Sequence, residues 1–234
     1  MMRLNKSSAI LFLVCFFAGS CATSNPALIA AMDQEAARVR QKDQSYAAGD
    51  SSDHKALAAG QWTKYSVSNE KGQIVSFVTT RLLEVDERLR TTEVEMQSKD
   101  IHSVSEFVMD PGEEGDFKDI EILRAVTKEK GQEAHELSEI ELAIGGAFWK
   151  NILKSVQPEH FVSQGKEEVR VPAGTFLGAD KVDSSLDVTG KKIHGSAWIH
   201  PAVPLSGAVK TVNDHGKSEL VDFGFDAKST MAQF

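Results

Sequence analysis

The chain has 234 residues, of which 26 are basic, 34 acidic and 41% hydrophobic, for a formal charge of −8. That length suits one domain of ordinary size with an appendage. The acidic balance, without a basic stripe or tail, excludes a nucleic-acid surface and electrostatic docking on anionic lipid.

In chain order, Met1–Lys6 carries Arg3 and Lys6, and Ala9–Phe17 is an uncharged apolar run, the n-region and h-region of a secretory signal. Nine residues rising about 1.5 Å each cover less than half of a hydrocarbon core of about 30 Å, so this run is too short to span a bilayer. Ala18-Gly19-Ser20-Cys21 follows at once. This tetrapeptide resembles the lipobox of bacterial lipoproteins, with Ala18 where that family usually has Leu. The resemblance implies cleavage before Cys21, acylation of its thiol and new amino group, and a cell-envelope protein whose membrane partner is reached through a lipid anchor. An ordinary signal cut after Ser20 is the alternative. Ala22, where Asp would signal inner-membrane retention, points to the periplasmic face of the outer membrane. Loss of residues 1–20 removes Arg3 and Lys6 and no acid, which brings the formal charge to −10. Cys15 leaves with the signal and Cys21 is blocked by lipid, so an apolar core has to stabilise the mature domain without disulfides.

The chain divides into a signal peptide (1–20), a lipidated tether with helix and linker (21–59), an antiparallel β domain (60–228) and a C-terminal tail (229–234). In the tether, Leu28, Ile29, Met32, Ala36 and Val39 form one stripe at helical spacing. Asn25 and Pro26 stand as N-cap and first helical residue of a helix over Pro26–Lys42. Lys42–Asp53 (KDQSYAAGDSSD) is a linker by composition. From Gly60 the period becomes 2. Gln61–Asn69, Gln73–Asp86, Arg88–Gln97, Ser103–Met109, Asp119–Thr127 and Gln132–Leu137 are strands joined by short polar turns, an antiparallel meander. Asp110–Asp116 is an acidic turn that lacks the order of an EF-hand loop. Ser138–Val156 is a helix opened by a Ser138/Glu141 capping box, with Ile140, Ile144, Phe148 and Ile152 on one face and Trp149 beside them. Gly145 and Gly146 sit mid-helix, where the backbone must pass close to a neighbour. Strands resume at Glu167–Val171, Gly178–Val188, Lys191–Ile199, Gly207–Val212 and Ser218–Phe225. The predicted fold is α+β and mainly antiparallel β: a curved sheet or half-open barrel with a central helix on its concave face and an N-terminal helix.

Val171–Phe176 (VPAGTF), Lys181-Val182, Trp198-x-x-Pro201 and Val209-Lys210 together look like a module of secreted bacterial β-proteins, in which the first turn starts a hairpin and the Trp-x-x-Pro strand end precedes a closing strand. GQWTK (Gly60–Lys64) is similar to the opening strand of the same proteins. The order of helix, meander, helix and further strands is similar to the periplasmic lipoprotein carrier and its outer-membrane receptor. That resemblance implies an apolar cavity between a half-open barrel and its helices.

Catalytic signals are weak. There is no Gly-x-Ser-x-Gly elbow, Ser196 falls inside a strand, and Gly216-Lys217-Ser218 lacks the leading Gly of a P-loop. His194 and His200, six residues apart on one strand, stand roughly 20 Å apart, too far to share a zinc ion. The other acids fall at polar strand positions or in turns. No catalytic residue, metal or cofactor is expected. Phe148, Trp149, Ile152, Trp62 and Trp198 are the candidate lining of an apolar ligand site, with a core role as the alternative for each. The function expected is that of a non-enzymatic envelope lipoprotein that binds a lipid, an acylated partner or another apolar ligand; the alternative is an assembly module contacting envelope proteins.

Overall fold

The computed structural model describes residues 25–49, 56–112, 120–142, 162–188 and 191–234. Helix α1 (Pro26–Arg38) begins as its sequence predicts, with the Asn25 side chain accepting from the Ala27 N–H at 3.0 Å and Pro26 in the first turn. It ends at Arg38 and not Lys42, because Val39 is already extended and the Lys42 N–H is committed to the distant Pro172 carbonyl at 2.9 Å. The stretch whose composition marks it as a linker contains a strand, β1 (Ser45–Tyr46), paired in parallel with Thr175 and Phe176.

The meander follows as β2 (Trp62–Asn69), β3 (Ile74–Val85), β4 (Arg90–Ser98), β5 (His102–Asp110), β6 (Glu121–Glu129) and the two-residue β7 (His135–Glu136). Gly72 takes φ +75° in the β2–β3 turn, a conformation that suits glycine. The later strands are β8 (Val162–Val171), β9 (Gly174–Val188), β10 (Lys191–Ile199), β11 (Ala208–Asn213) and β12 (Gly216–Gly224). Together they form one open twelve-stranded sheet in the order β1-β9-β10-β11-β12-β2-β3-β4-β5-β6-β7, with β8 on the other edge of β9. Every pairing is antiparallel except β1 with β9. Register shifts at Val67/Ser68, Leu82/Glu84, Val108/Met109, Trp198/Ile199 and Leu220/Asp222 add local bend and twist, and the sheet curves.

Strand register sorts the meander's side chains. Lys64, Thr79 and Glu95 stand opposite one another in one row, with Arg81 and Glu93 in the next row of the same face. Val94, Phe107 and Ala125 point to the other face, where they form a core with Met109, Ile120 and Leu137. Residues 139–142 start a helix over that core. Glu141 Oε2 accepts from the Ser138 N–H at 2.8 Å and hydroxyl at 2.7 Å, while Leu142 packs on the cluster. The continuation of this helix to Val156 falls outside the described residues, as do the signal segment, Cys21 and the Thr189-Gly190 turn. A second core, around β8 to β12, holds Val169, Val171, Ala173, Phe176, Ala179, Val203, Val209 and Leu220. Among the described residues no helix is long and apolar enough to cross a membrane.

Candidate functional site

Of the expected ligand-lining residues, Trp62 and Trp198 are described; Phe148, Trp149 and Ile152 are not. Trp62 lies on β2 beside Gly224, where a Cβ would come within 2.6 Å of the indole nitrogen, and its N–H donates to Asp226 at 3.0 Å. Trp198 lies on β10, three strands away, and its N–H donates to Glu167 at 2.5 Å. Register puts Lys181 and Lys210 on either side of it, and both ammonium groups stand 5.3 Å from the ring centroid. Each indole thus has its polar edge satisfied locally, and the sheet does not bring the two rings together.

The acids do not all occupy solvated strand positions. Glu93 is fully buried and its carboxylate is saturated: Arg81 donates at 3.1 Å, the Ser229 hydroxyl at 2.7 Å, the Thr230 hydroxyl at 2.8 Å, and the Thr230 N–H at 3.0 and 3.1 Å. Arg81 also reaches Glu95 at 2.7 Å, and His102 Nε2 lies 2.9 Å from the same carboxylate. Burial works to raise the Glu95 pKa, yet the hydrogen bonds from His102 and Arg81 outweigh it and hold the group at about 2. Residues 229–234 therefore form a strap on this face. The Phe234 ring packs edge-on against His102 at 4.6 Å, and the Phe234 carbonyl accepts from Gly131 at 3.3 Å. Under the strap a recess of about 170 Å³ is lined by Glu95, His102, Lys130, Thr230, Gln233 and Phe234. A sequence reading misses this site because Ser229 and Thr230, which donate to Glu93, lie 136 and 137 residues away.

The VPAGTF turn is a seat for the N-terminal arm. Gly174 (φ +142°) lies where a Cβ would come within 2.6 Å of the Gln44 carbonyl, which accepts from Thr175 at 2.8 Å. Tyr46 stacks on Phe176 at 4.5 Å and 13°. Since β8 holds one edge of β9 at both Thr175 and Asp183, β1 and β10 must share the other edge, lying end to end. His200 fills the joint. It is buried, not a surface histidine, and Ala202 N–H donates to its Nδ1 at 3.2 Å. Nε2 therefore carries the hydrogen that it gives to the Ala47 carbonyl at 3.0 Å.

A second recess, about 460 Å³ and wide open, is lined by Asp183, His194, Ser196, Val212, Asn213 and Asp214. The Ser196 hydroxyl donates to Asp183 at 3.4 Å. Among the described residues no group of three His, Cys, Asp or Glu side chains converges as a metal site.

The fold defines this chain as an α+β protein built on an open antiparallel sheet. No protein-family model and no curated protein matches it significantly. It is similar to a "putative lipoprotein" of Parabacteroides distasonis (12% identity, 71% of this chain and 96% of that one, TM-score 0.32). It is also similar to a "hypothetical protein" of Chlamydia trachomatis (11%, 74% and 90%, 0.46). A "putative exported protein with YmcC-like fold" of Bacteroides fragilis aligns with it as well (12%, 73% and 98%, 0.32). Superpositions this loose carry no inference about the fold or function of this chain.

Proposed function

We propose that this is a non-enzymatic cell-envelope lipoprotein, held through acylated Cys21 to the periplasmic face of the outer membrane, whose sheet binds an apolar ligand such as a lipid or the acyl chain of a partner. The address rests on the n-region, h-region and Ala18-Gly19-Ser20-Cys21 sequence. The observation that supports binding is the Ser138/Glu141 box, which launches a helix over the Val94–Phe107–Ala125 face with Leu142 already packed on it. In sequence, the stripe continues through Ile144, Phe148 and Ile152, with Trp149 beside it, so the proposed ligand lies between these residues and the sheet. Register sets Trp62 opposite Arg81, and Trp198 in the row of Lys210, Glu219 and Ser66, so both stand on the Glu93 face and outside this proposed lining.

A second reading, an assembly module that contacts other envelope proteins, is favoured by the way both described tryptophans are tied to carboxylates within the sheet. One experiment addresses both readings. Full-length wild-type and Cys21→Ser proteins are expressed, fractionated, and the detergent-extracted wild type is analysed by native mass spectrometry. The lipoprotein reading expects the variant to leave the membrane fraction, and unchanged retention sinks it. The ligand reading expects a co-purifying apolar mass besides the anchor; its absence, together with co-purifying envelope protein, selects the assembly module.

A further inference from the structure

We infer that His200 is an acid-sensitive latch for the N-terminal arm, residues 42–49, and that protonating it frees the arm from the edge of β9. The inference is independent of the fate of Cys21. It rests on the ring's hydrogen bonds. Nδ1 accepts from the Ala202 N–H and Nε2 donates to the Ala47 carbonyl, so only the neutral ring satisfies both partners. A second proton on Nδ1 would set N–H against N–H at a site that is 1% exposed.

The surroundings offer the cation little. Phe176 packs edge-on against the ring at 5.3 Å. The charged group acting on it is Lys166 from β8, which donates to the Gly49 carbonyl at 3.1 Å and disfavours a further positive charge. The backbones of Ala47 and Leu177 favour the charged ring, but burial, the largest influence, and Lys166 outweigh them, and the pKa falls below the ordinary histidine value. The latch contacts are therefore fully present above about pH 6.5 and are lost as the pH drops through the lowered folded value.

The arm is the part that yields. Its strand is two residues long, it ends a sheet path, and past Ala47 it is held by Lys166 and by Ala48 packed over Gly178. Lifting it opens His200 to water while leaving the antiparallel ladders intact.

The test is hydrogen exchange by mass spectrometry on the full-length protein in detergent at about pH 8 and about pH 5, corrected for the intrinsic rate, with a His200→Gln comparison. Peptides over 42–49 and 174–177 are expected to lose protection by about tenfold or more at the lower pH, while a β3–β4 peptide keeps its protection. His200→Gln removes the titrating group, so its arm should behave alike at both pH values. An arm that stays protected in acid, an arm that opens together with β3–β4, or a variant that opens in acid as the wild type does each overturns the latch. If the variant does not fold, an NMR titration of the His200 ring nitrogens in the wild type decides: the ring and the arm must share one midpoint, and separate midpoints overturn the proposal.

Discussion

The arm that leads into the domain and the strap that ends it are fastened to the same sheet by opposite chemistries. The arm is held mainly by an aromatic stack, Tyr46 on Phe176, with Phe223 5.4 Å from Tyr46, and by a neutral histidine; its one ion pair to the sheet, Lys42 with Asp222 at 2.6 Å, is solvent-exposed. The strap is held by a buried carboxylate, Glu93, with an Arg81–Glu95–His102 network beside it. Apolar contacts tolerate small displacements; a saturated buried charge does not, because each lost donor leaves it desolvated and unpaired. The strap should therefore be lost abruptly and the arm by degrees.

The largest expected effect breaks the strap. Glu93→Ala removes the acceptor from Arg81, Ser229 and Thr230 together and should cost about 3–5 kcal/mol, read as a fall in denaturant midpoint with unchanged slope. A cost within about 0.5 kcal/mol would show that the strap contributes nothing to stability. Acid comes next. With Glu95 at about 2 in the folded protein against 4.5 ordinarily, its contribution is fully present above about pH 4.5 and is lost as pH falls towards 2, up to about 3 kcal/mol. Glu95→Gln should flatten that limb of the stability profile. The smallest effect sharpens the contrast: Tyr46→Leu removes one stack and should cost about 0.5–1.5 kcal/mol beyond its lost area, additive with Glu93→Ala because the two sites share no partner.

What the sequence shows and hides follows the same division. Strands whose partners are neighbours are legible: β2 and β3 alternate, their turn carries Glu70-Lys71-Gly72, and the Ser138/Glu141 box marks its helix start. Contacts that depend on distant chain are not. Ser45–Tyr46 sits in a polar, alanine-rich run because its partner strand is more than a hundred residues on, and Ala48 is small where it meets Gly178 at 2.9 Å from that residue's would-be Cβ. Glu93 occupies a polar phase of β4, as expected of a solvated position, yet the strap buries it. His200 reads as a strand-end residue, and only the arm shows that it is interior. Of the candidate lining, Trp62 and Trp198 were legible as aromatic strand positions, whereas their carboxylate partners, Asp226 and Glu167, were not.

The start of α1 sets a leash. Asn25, the helix cap, lies four residue steps after Cys21, and fully extended those steps span at most about 14 Å. If fatty chains hold that sulfur in a bilayer, the first turn of α1 stays within that reach of the anchor, and the acidic domain hangs from this helix end close to its membrane.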